Sequence, residues 1–302
     1  MDISTRVLII MGAVLGGYGV VLLIMTLIFK LRGVSTKKLW IRYLAWFIII
    51  PPVLIPLVYS RIVFQAVILI LSLLNFHEYS NVIGLWKDRY FSVLCNATIV
   101  LSYIPVFLQR FGLFQVVPIY MIIFVLLIPI MKGKYEHMIQ KSCLAMFGLI
   151  YFGWFLAHIA YMRNVSNGIA YVFLLFLLVE SNDAGSYIVG KIFGKHKLSP
   201  EISPGKTNEG FLGGLLFVII LSFLLKNLTP EFSFVHRFLF AVLIAVAGTC
   251  GDLIISFIKR DLKIKDFGSL IPGHGGILDR FDSVIFVAPL FFHIINFFYG
   301  IL

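Results

Sequence analysis

The chain has 302 residues, of which 60% are hydrophobic and 13% charged, with a mean hydropathy of +1.00 and a net charge of +11. Soluble domains carry about 25% charged residues, so this composition excludes a soluble globular protein and points to an integral membrane protein. The positive balance fits basic cytoplasmic loops and anionic lipid better than nucleic acid, and no nucleic-acid partner is expected.

Ten apolar runs are predicted to fold as spanning helices, at about 7–29, 43–60, 62–77, 91–108, 112–131, 143–162, 168–190, 210–225, 238–257 and 280–300. The first is too long for the hydrophobic stretch of a cleaved signal and is expected to remain as an anchor. Pro51, Pro52 and Pro56 fall inside the second, which predicts a kinked or partly unwound helix packed against protein. Ten crossings place Arg6, Arg61, Arg110, Arg163, Lys226 and Arg237 on one side and the other 19 of the 25 basic residues on the opposite side. The positive-inside rule then predicts an all-α protein with both termini outside and its polar loops in the cytoplasm. Cys95, Cys143 and Cys250 lie in apolar runs, are odd in number, show no metal spacing, and are expected to be buried thiols.

Residues 1–165 offer little chemistry and are expected to support a catalytic region at 166–302. In the first half, His77-Glu78-Tyr79 reads as an interfacial cluster, with a place on a cavity rim as the alternative. His158 and its neighbouring tyrosines are placed at the opposite membrane interface.

The character changes at Glu180. Glu180 and Asp183 are three apart on a predicted helix and share a face, and acids at membrane depth cost several kcal/mol unless hydrated, paired or metal-bound. An acid pair just above the lipid boundary is the plainer alternative. Lys191, Lys195, Lys197 and Lys206 follow, and all of them also serve as cytoplasmic anchors. Ser203-Pro204-Gly205-Lys206-Thr207 combines small residues, a point charge and a hydroxyl, as a phosphate cradle does, but lacks the GxxxxGK[ST] spacing of a P-loop. Gly210, Gly213 and Gly214 read as a face for close helix packing.

Asp252 sits in an apolar run four residues before Ser256, so both can point into one cavity. Lys259, Arg260, Lys263 and Lys265 follow, then Pro272-Gly273-His274-Gly275-Gly276, then Asp279 and Asp282 at the start of the last run. Acids there complement a positive helix end, but that does not explain a third acid on the adjacent helix. Carboxylates converging beside Lys and Arg suit magnesium shared with substrate phosphates, and hence phosphoryl or nucleotidyl transfer without a protein nucleophile. His274 is either a base or phosphate donor, or a loop histidine bonded to backbone.

Four groups of residues resemble the signature of the phosphatidate cytidylyltransferase (CDP-diacylglycerol synthase) family: Ser256-x-x-Lys259-Arg260, Lys265-Asp266-x-Gly268, Pro272-Gly273-His274-Gly275-Gly276 and Asp279-Arg280-x-Asp282. Upstream, Asp183-Ala184, Tyr187, Gly190-Lys191, Gly194-Lys195, Leu198-Ser199-Pro200, Ile202 to Thr207 and Glu209-Gly210 resemble the same family's second region. Asn208 stands where members commonly carry Trp.

The resemblance implies conversion of CTP and phosphatidate, or a related lipid phosphate, into CDP-diacylglycerol and pyrophosphate. It assigns Asp252, Asp279 and Asp282 to one or two cations, magnesium first. It assigns Lys259, Arg280 and His274 to the catalytic group. Asp183, Lys191, Ser203, Lys206, Thr207, Ser256, Arg260, Lys265, Gly275 and Gly276 are expected to hold substrate, with CTP entering from the cytoplasm and the lipid from the bilayer. A homodimer in a bacterial inner membrane is implied by resemblance alone. CTP-dependent phosphorylation of a long-chain prenol, and transport of an anion or phospholipid, are the alternatives.

Overall fold

The computed structural model describes residues 2–31, 37–268 and 275–302. Its helices are α1 (Ile3–Leu31), α2 (Lys37–Tyr59), α3 (Arg61–Val82), α4 (Arg89–Ser102), α5 (Ile104–Phe107) and α6 (Phe111–Lys132). They continue with α7 (Met138–Gly148), α8 (Leu156–Met162), α9 (Gly168–Phe193), α10 (Asn208–Leu224), α11 (Phe234–Asp261) and α12 (Leu278–Tyr299). Every predicted apolar run lies in a helical stretch. Among the described residues, seven of these stretches are long and apolar enough to cross a membrane: 61–82, 89–107, 111–132, 138–162, 168–193, 234–261 and 278–299. Shorter apolar helices occupy Ile3–Gly17, Ile50–Tyr59 and Asn208–Leu224.

Four expectations need correction. The protein is not purely helical: the basic segment after α9 folds into an antiparallel hairpin of β1 (Lys197–Ser199) and β2 (Ser203–Thr207), with Lys197 opposite Thr207. Short strands suit a glycine- and proline-punctuated segment that has no apolar face to bury. Secondly, Pro51, Pro52 and Pro56 lie inside one helical segment, α2, so the partly unwound form of that expectation is not the one found. Thirdly, Cys143 and Cys250 are exposed on helix surfaces, and only Cys95 is buried. Lastly, His158 faces the protein interior and is fully buried. Its Nδ1 donates to the Trp154 carbonyl at 2.9 Å, which leaves Nε2 to accept from His293 Nε2 at 3.2 Å.

Lipid tails are as apolar as leucine, so membrane helices associate through close packing rather than water exclusion. The α9–α10 pair shows this: a Cβ on Gly185 would lie 3.3 Å from Gly214 Cα, and one on Gly190 would lie 3.4 Å from Gly210 Cα. The glycine face read in the sequence is therefore a packing seam. Between α7 and α8 the helix widens into a π turn, Leu149–Phe155, that packs against α3 and α12.

Polar contacts sort the loops into two ends. Arg6 Nη1 donates to the Asn227 carbonyl at 2.9 Å, tying the start of α1 to the α10–α11 connection. At the other end Asp88, before α4, binds Lys132 and lies 3.8 Å from Lys141, joining the α3–α4 and α6–α7 connections. The partners at each end are those that the charge distribution groups together.

Candidate active site

Three helices deliver acids to one region: α9 brings Glu180 and Asp183, α11 brings Asp252, and α12 brings Asp279 and Asp282. Gly251 makes the α11–α12 approach possible. A Cβ there would lie 2.8 Å from the Asp282 carbonyl oxygen and 2.9 Å from Phe286 Cβ, so the helices nearly touch beside Asp252. Ser283 links the next pair: its hydroxyl donates to Asp183 Oδ2 at 2.9 Å and its amide to Asp282 Oδ1 at 2.8 Å. Asp183, Asp252 and Asp282 are close enough to repel one another. In the low-dielectric interior such a trio demands positive charge.

Basic residues supply part of it. Lys206, reaching from β2, places Nζ 2.7 Å from Asp252 Oδ2, while the Ser256 hydroxyl donates to Oδ1 at 3.0 Å. Arg260 Nε donates to the Ile202 carbonyl at 3.2 Å, a second tie between α11 and the hairpin. Thr207 spends its hydroxyl as the N-cap of α10, accepting from Gly210 N at 3.1 Å. Just ahead of the apolar part of α10, Glu209 fixes the hairpin's other end. His196 Nδ1 at 2.6 Å, with backbone amides including that of Lys195, holds its carboxyl down to about 2.

Asp279 and Asp282 do different things although they are three residues apart. Asp279 is buried; its Oδ1 accepts from Lys259 Nζ at 3.0 Å, and its Oδ2 accepts from the amides of Phe267 and Gly276, both at 3.0 Å. Asp279 thus pins both flanks of the loop between α11 and α12. Gly275, between those flanks, has φ +81, a conformation that suits glycine. Asp282, one turn further on, lines a cavity of about 620 Å³ together with Glu180, Asp183 and Arg280. Glu180 is exposed, but to this cavity.

A sixth acid joins from the first half. Glu78 at the end of α3 accepts from Ile277 N at 3.0 Å and Leu278 N at 2.9 Å, so its carboxylate caps the start of α12. Gly268 and Gly276 press against it: Cβ atoms there would fall 2.5 and 2.3 Å from its oxygens. Glu78 thus serves as a cap on α12, and it is not among the residues that line the cavity.

Of the sequence-predicted residues, the structure brings together Asp183, Lys206, Asp252, Ser256, Lys259, Gly275, Gly276, Asp279, Arg280 and Asp282. Lys265 is exposed on the loop after α11, and Lys191 lies over the Tyr187 ring at 5.7 Å on the exposed face of α9. Ser203 is a strand residue opposite Ser199. His274 lies outside the described residues. Sequence reasoning missed Glu78 as a cap, Ser283 as a link, and Tyr151 in the π turn. The Tyr151 hydroxyl is buried without a partner among the described residues, near enough to Asp252 and Asp282 to feel their charge.

Residues 40–298 match the cytidylyltransferase family. The chain belongs to that family. The match reaches well upstream of the motifs recognised in the sequence and takes in Glu78. A phosphatidate cytidylyltransferase of Bacillus subtilis is 40% identical over 151 residues, covering 49% of this chain and 56% of that protein. One from Staphylococcus epidermidis is 38% identical over 160 residues, covering 53% and 60%. An uncharacterized Escherichia coli protein, YnbB, is 42% identical over 158 residues, covering 49% and 53%. The matched stretch thus spans a little over half the length of these curated relatives.

The donor set can be tested against a magnesium ion. Asp183, Asp252 and Asp282 offer hard oxygens from three helices, and no donor among the described residues reaches Asp282 Oδ2. Asp279 is the most enclosed of these acids, with Lys259 on one oxygen and two backbone amides on the other, while Asp252 shares its oxygens with Ser256 and Lys206. Among the described residues no three such side chains form a ready-made shell.

Proposed function

We propose that this cytidylyltransferase-family chain transfers the cytidylyl group of CTP to a lipid phosphate, phosphatidate in the first instance, giving CDP-diacylglycerol and pyrophosphate. The observation that carries the reading is the meeting of Asp183, Asp252 and Asp282 with Lys206 beside a cavity whose far walls are apolar. Such a site accepts a substrate that is anionic at one end and hydrocarbon at the other. In the reaction a lipid phosphate oxygen bonds to the α-phosphorus of CTP, and the bond from that phosphorus to the β-phosphate oxygen breaks.

Asp252 and Asp282, with Asp183, would hold magnesium, which supplies charge neutralisation on the reacting phosphate. Lys206 and Arg280 would bind phosphate oxygens, Lys206 leaving Asp252 to do so. Arg260, Lys259 and Lys265 set a positive rim that attracts the nucleotide. Asp279 and Glu78 hold the start of α12, and with it Asp282, in place. Residues 166–302 carry the acids and bases, and 1–165 contribute Glu78 and apolar walls. The ten-span layout with both termini outside, in a bacterial inner membrane with the site facing the cytoplasm, draws support from the charge asymmetry and from the bacterial relatives.

The test is purified protein with magnesium, phosphatidate and CTP labelled at the α- or the γ-phosphate. Label from the α position should enter lipid with release of pyrophosphate. Entry of γ label would replace the reading with lipid phosphorylation, and lipid flux without CTP turnover would replace it with transport.

A further inference from the structure

The cavity at the carboxylates is bounded on its apolar side by α1, which lies wholly before the matched residues 40–298. Met11, Ala13, Val14 and Gly17 of α1 face Phe173 and Phe176 of α9 across it, and Ile50 and Val53 of α2 add to the wall. The volume of about 620 Å³ lies inside the roughly 300–1,000 Å³ range of small-molecule sites. A nucleotide has no use for such a wall, whereas the hydrocarbon of a lipid phosphate does. The polar end is already defined by Asp183, Asp282 and Arg280, so an amphiphile can enter in only one orientation.

Ala13 and Gly17 are four residues apart and share one face of α1. Both line the cavity, and a Cβ built on Gly17 meets nothing within 4 Å. At Gly17, and one turn earlier at Ala13, a larger side chain would therefore intrude on the cavity.

We propose that α1 walls an acyl-chain chamber which holds one hydrocarbon tail of a lipid phosphate, and that Ala13 and Gly17 set the length of tail admitted. The inference rests on the proposed lipid-phosphate substrate and deepens it: a helix outside the family match confers lipid selection on the site.

Gly17→Leu and Ala13→Leu narrow the chamber. Gly12→Leu is the control, because a Cβ on Gly12 also meets nothing within 4 Å but Gly12 does not line the cavity. With purified protein, CTP and either dioctanoyl or dipalmitoyl phosphatidate, the ratio of kcat/KM values is measured. One methylene in an apolar pocket discriminates by about tenfold or more, so both narrowing variants should shift the ratio at least about tenfold toward the short lipid. The KM for CTP should stay unchanged, and Gly12→Leu should behave as wild type. Equal effects on both lipids, or none, would mean bulk lipid alone fills the space and would overturn the chamber.

If wild-type protein turns over CTP with no lipid phosphate, the proposed function falls. Binding of a fluorescent long-chain phosphatidate without CTP then decides the chamber by itself. Weakening by Gly17→Leu but not by Gly12→Leu upholds it, and equal binding refutes it.

Discussion

Glu78 offers the sharpest test of how the site is held together. Removing its carboxylate strips two backbone amides, Ile277 N and Leu278 N, of acceptors at 3.0 and 2.9 Å. Leu278 is fully buried and Ile277 nearly so, at 8% exposure. A hydrogen bond to a charged group contributes about 1.5–3 kcal/mol, so losing both costs about 3–6 kcal/mol if nothing replaces them. Glu78 is half buried, so water recovers part, and about 3 kcal/mol is the expected loss for Glu78→Ala. Glu78→Gln keeps one acceptor oxygen and gives up the favourable charge at the helix start, a loss of about 1 kcal/mol or more.

Asp282 lies one turn beyond this cap. If half of the 3 kcal/mol is felt as misplacement of Asp282, kcat falls about tenfold in Glu78→Ala. The assay is pyrophosphate release at saturating CTP and lipid, with the thermal midpoint in detergent measured alongside. Gly276→Ala should reproduce the defect, because its Cβ would sit 2.3 Å from Glu78 Oε2 and expel the carboxylate. The double variant should then be no worse than either single one, since both break the same contact. Wild-type kcat and midpoint in Glu78→Ala, or additive losses in the double variant, would refute the reasoning.

Asp282→Asn should abolish turnover with the thermal midpoint unchanged, whereas Asp279→Ala should lower both, since it frees Lys259 and two amides; equal midpoints for the two would count against the distinction. Lys206→Met should raise the KM for CTP, and an unchanged KM would remove Lys206 from the phosphate group. Asp88 sets a pH dependence. Burial opposes its ionisation, but the hydrogen bond and charge of Lys132 with the charge of Lys141 prevail and hold its carboxyl below the ordinary value. A depressed folded pKa stabilises above the unfolded value of about 4 and is lost as pH falls through the folded one, so Asp88→Asn should flatten the acid limb of a stability–pH curve. An acid limb as steep as that of the wild type would exclude this pair as its source.

The helices were legible because a membrane leaves the chain few choices: apolar runs of the right length must satisfy their backbone internally. Asp183, Asp252 and Asp282 were legible for the related reason that a carboxylate in such a run needs a partner. The hairpin was not, because Lys197 to Thr207 carries no alternating apolar pattern that would announce a strand. Glu78 was passed over because its partners are backbone amides about 200 residues away, a contact that no local spacing encodes. The placement of His158 failed for a different reason. Amphipathic rings favour interfaces on average, but Trp154 and His293 give this one both of its hydrogen bonds in the interior, which removes the cost of burial.

Asp279 and Asp282, which the sequence offers together as helix-end complement or metal ligands, have different partners. The amides of Phe267 and Gly276, which precede α12, reach Asp279 at the second position of the helix, whereas the backbone amide that Asp282 binds is that of its own neighbour, Ser283. Asp279 bonds those two amides through Oδ2 and Lys259 through Oδ1. Asp282 is one turn too deep for the loop amides and one turn nearer Asp183, to which Ser283 ties it. Both acids line the cavity from one face of α12, but only Asp279 also fixes the loop that precedes the helix. Lys259 pairs with Asp279 and Lys206 with Asp252 across the site, so Lys206 can leave its carboxylate for a phosphate without loosening the loop that Asp279 holds.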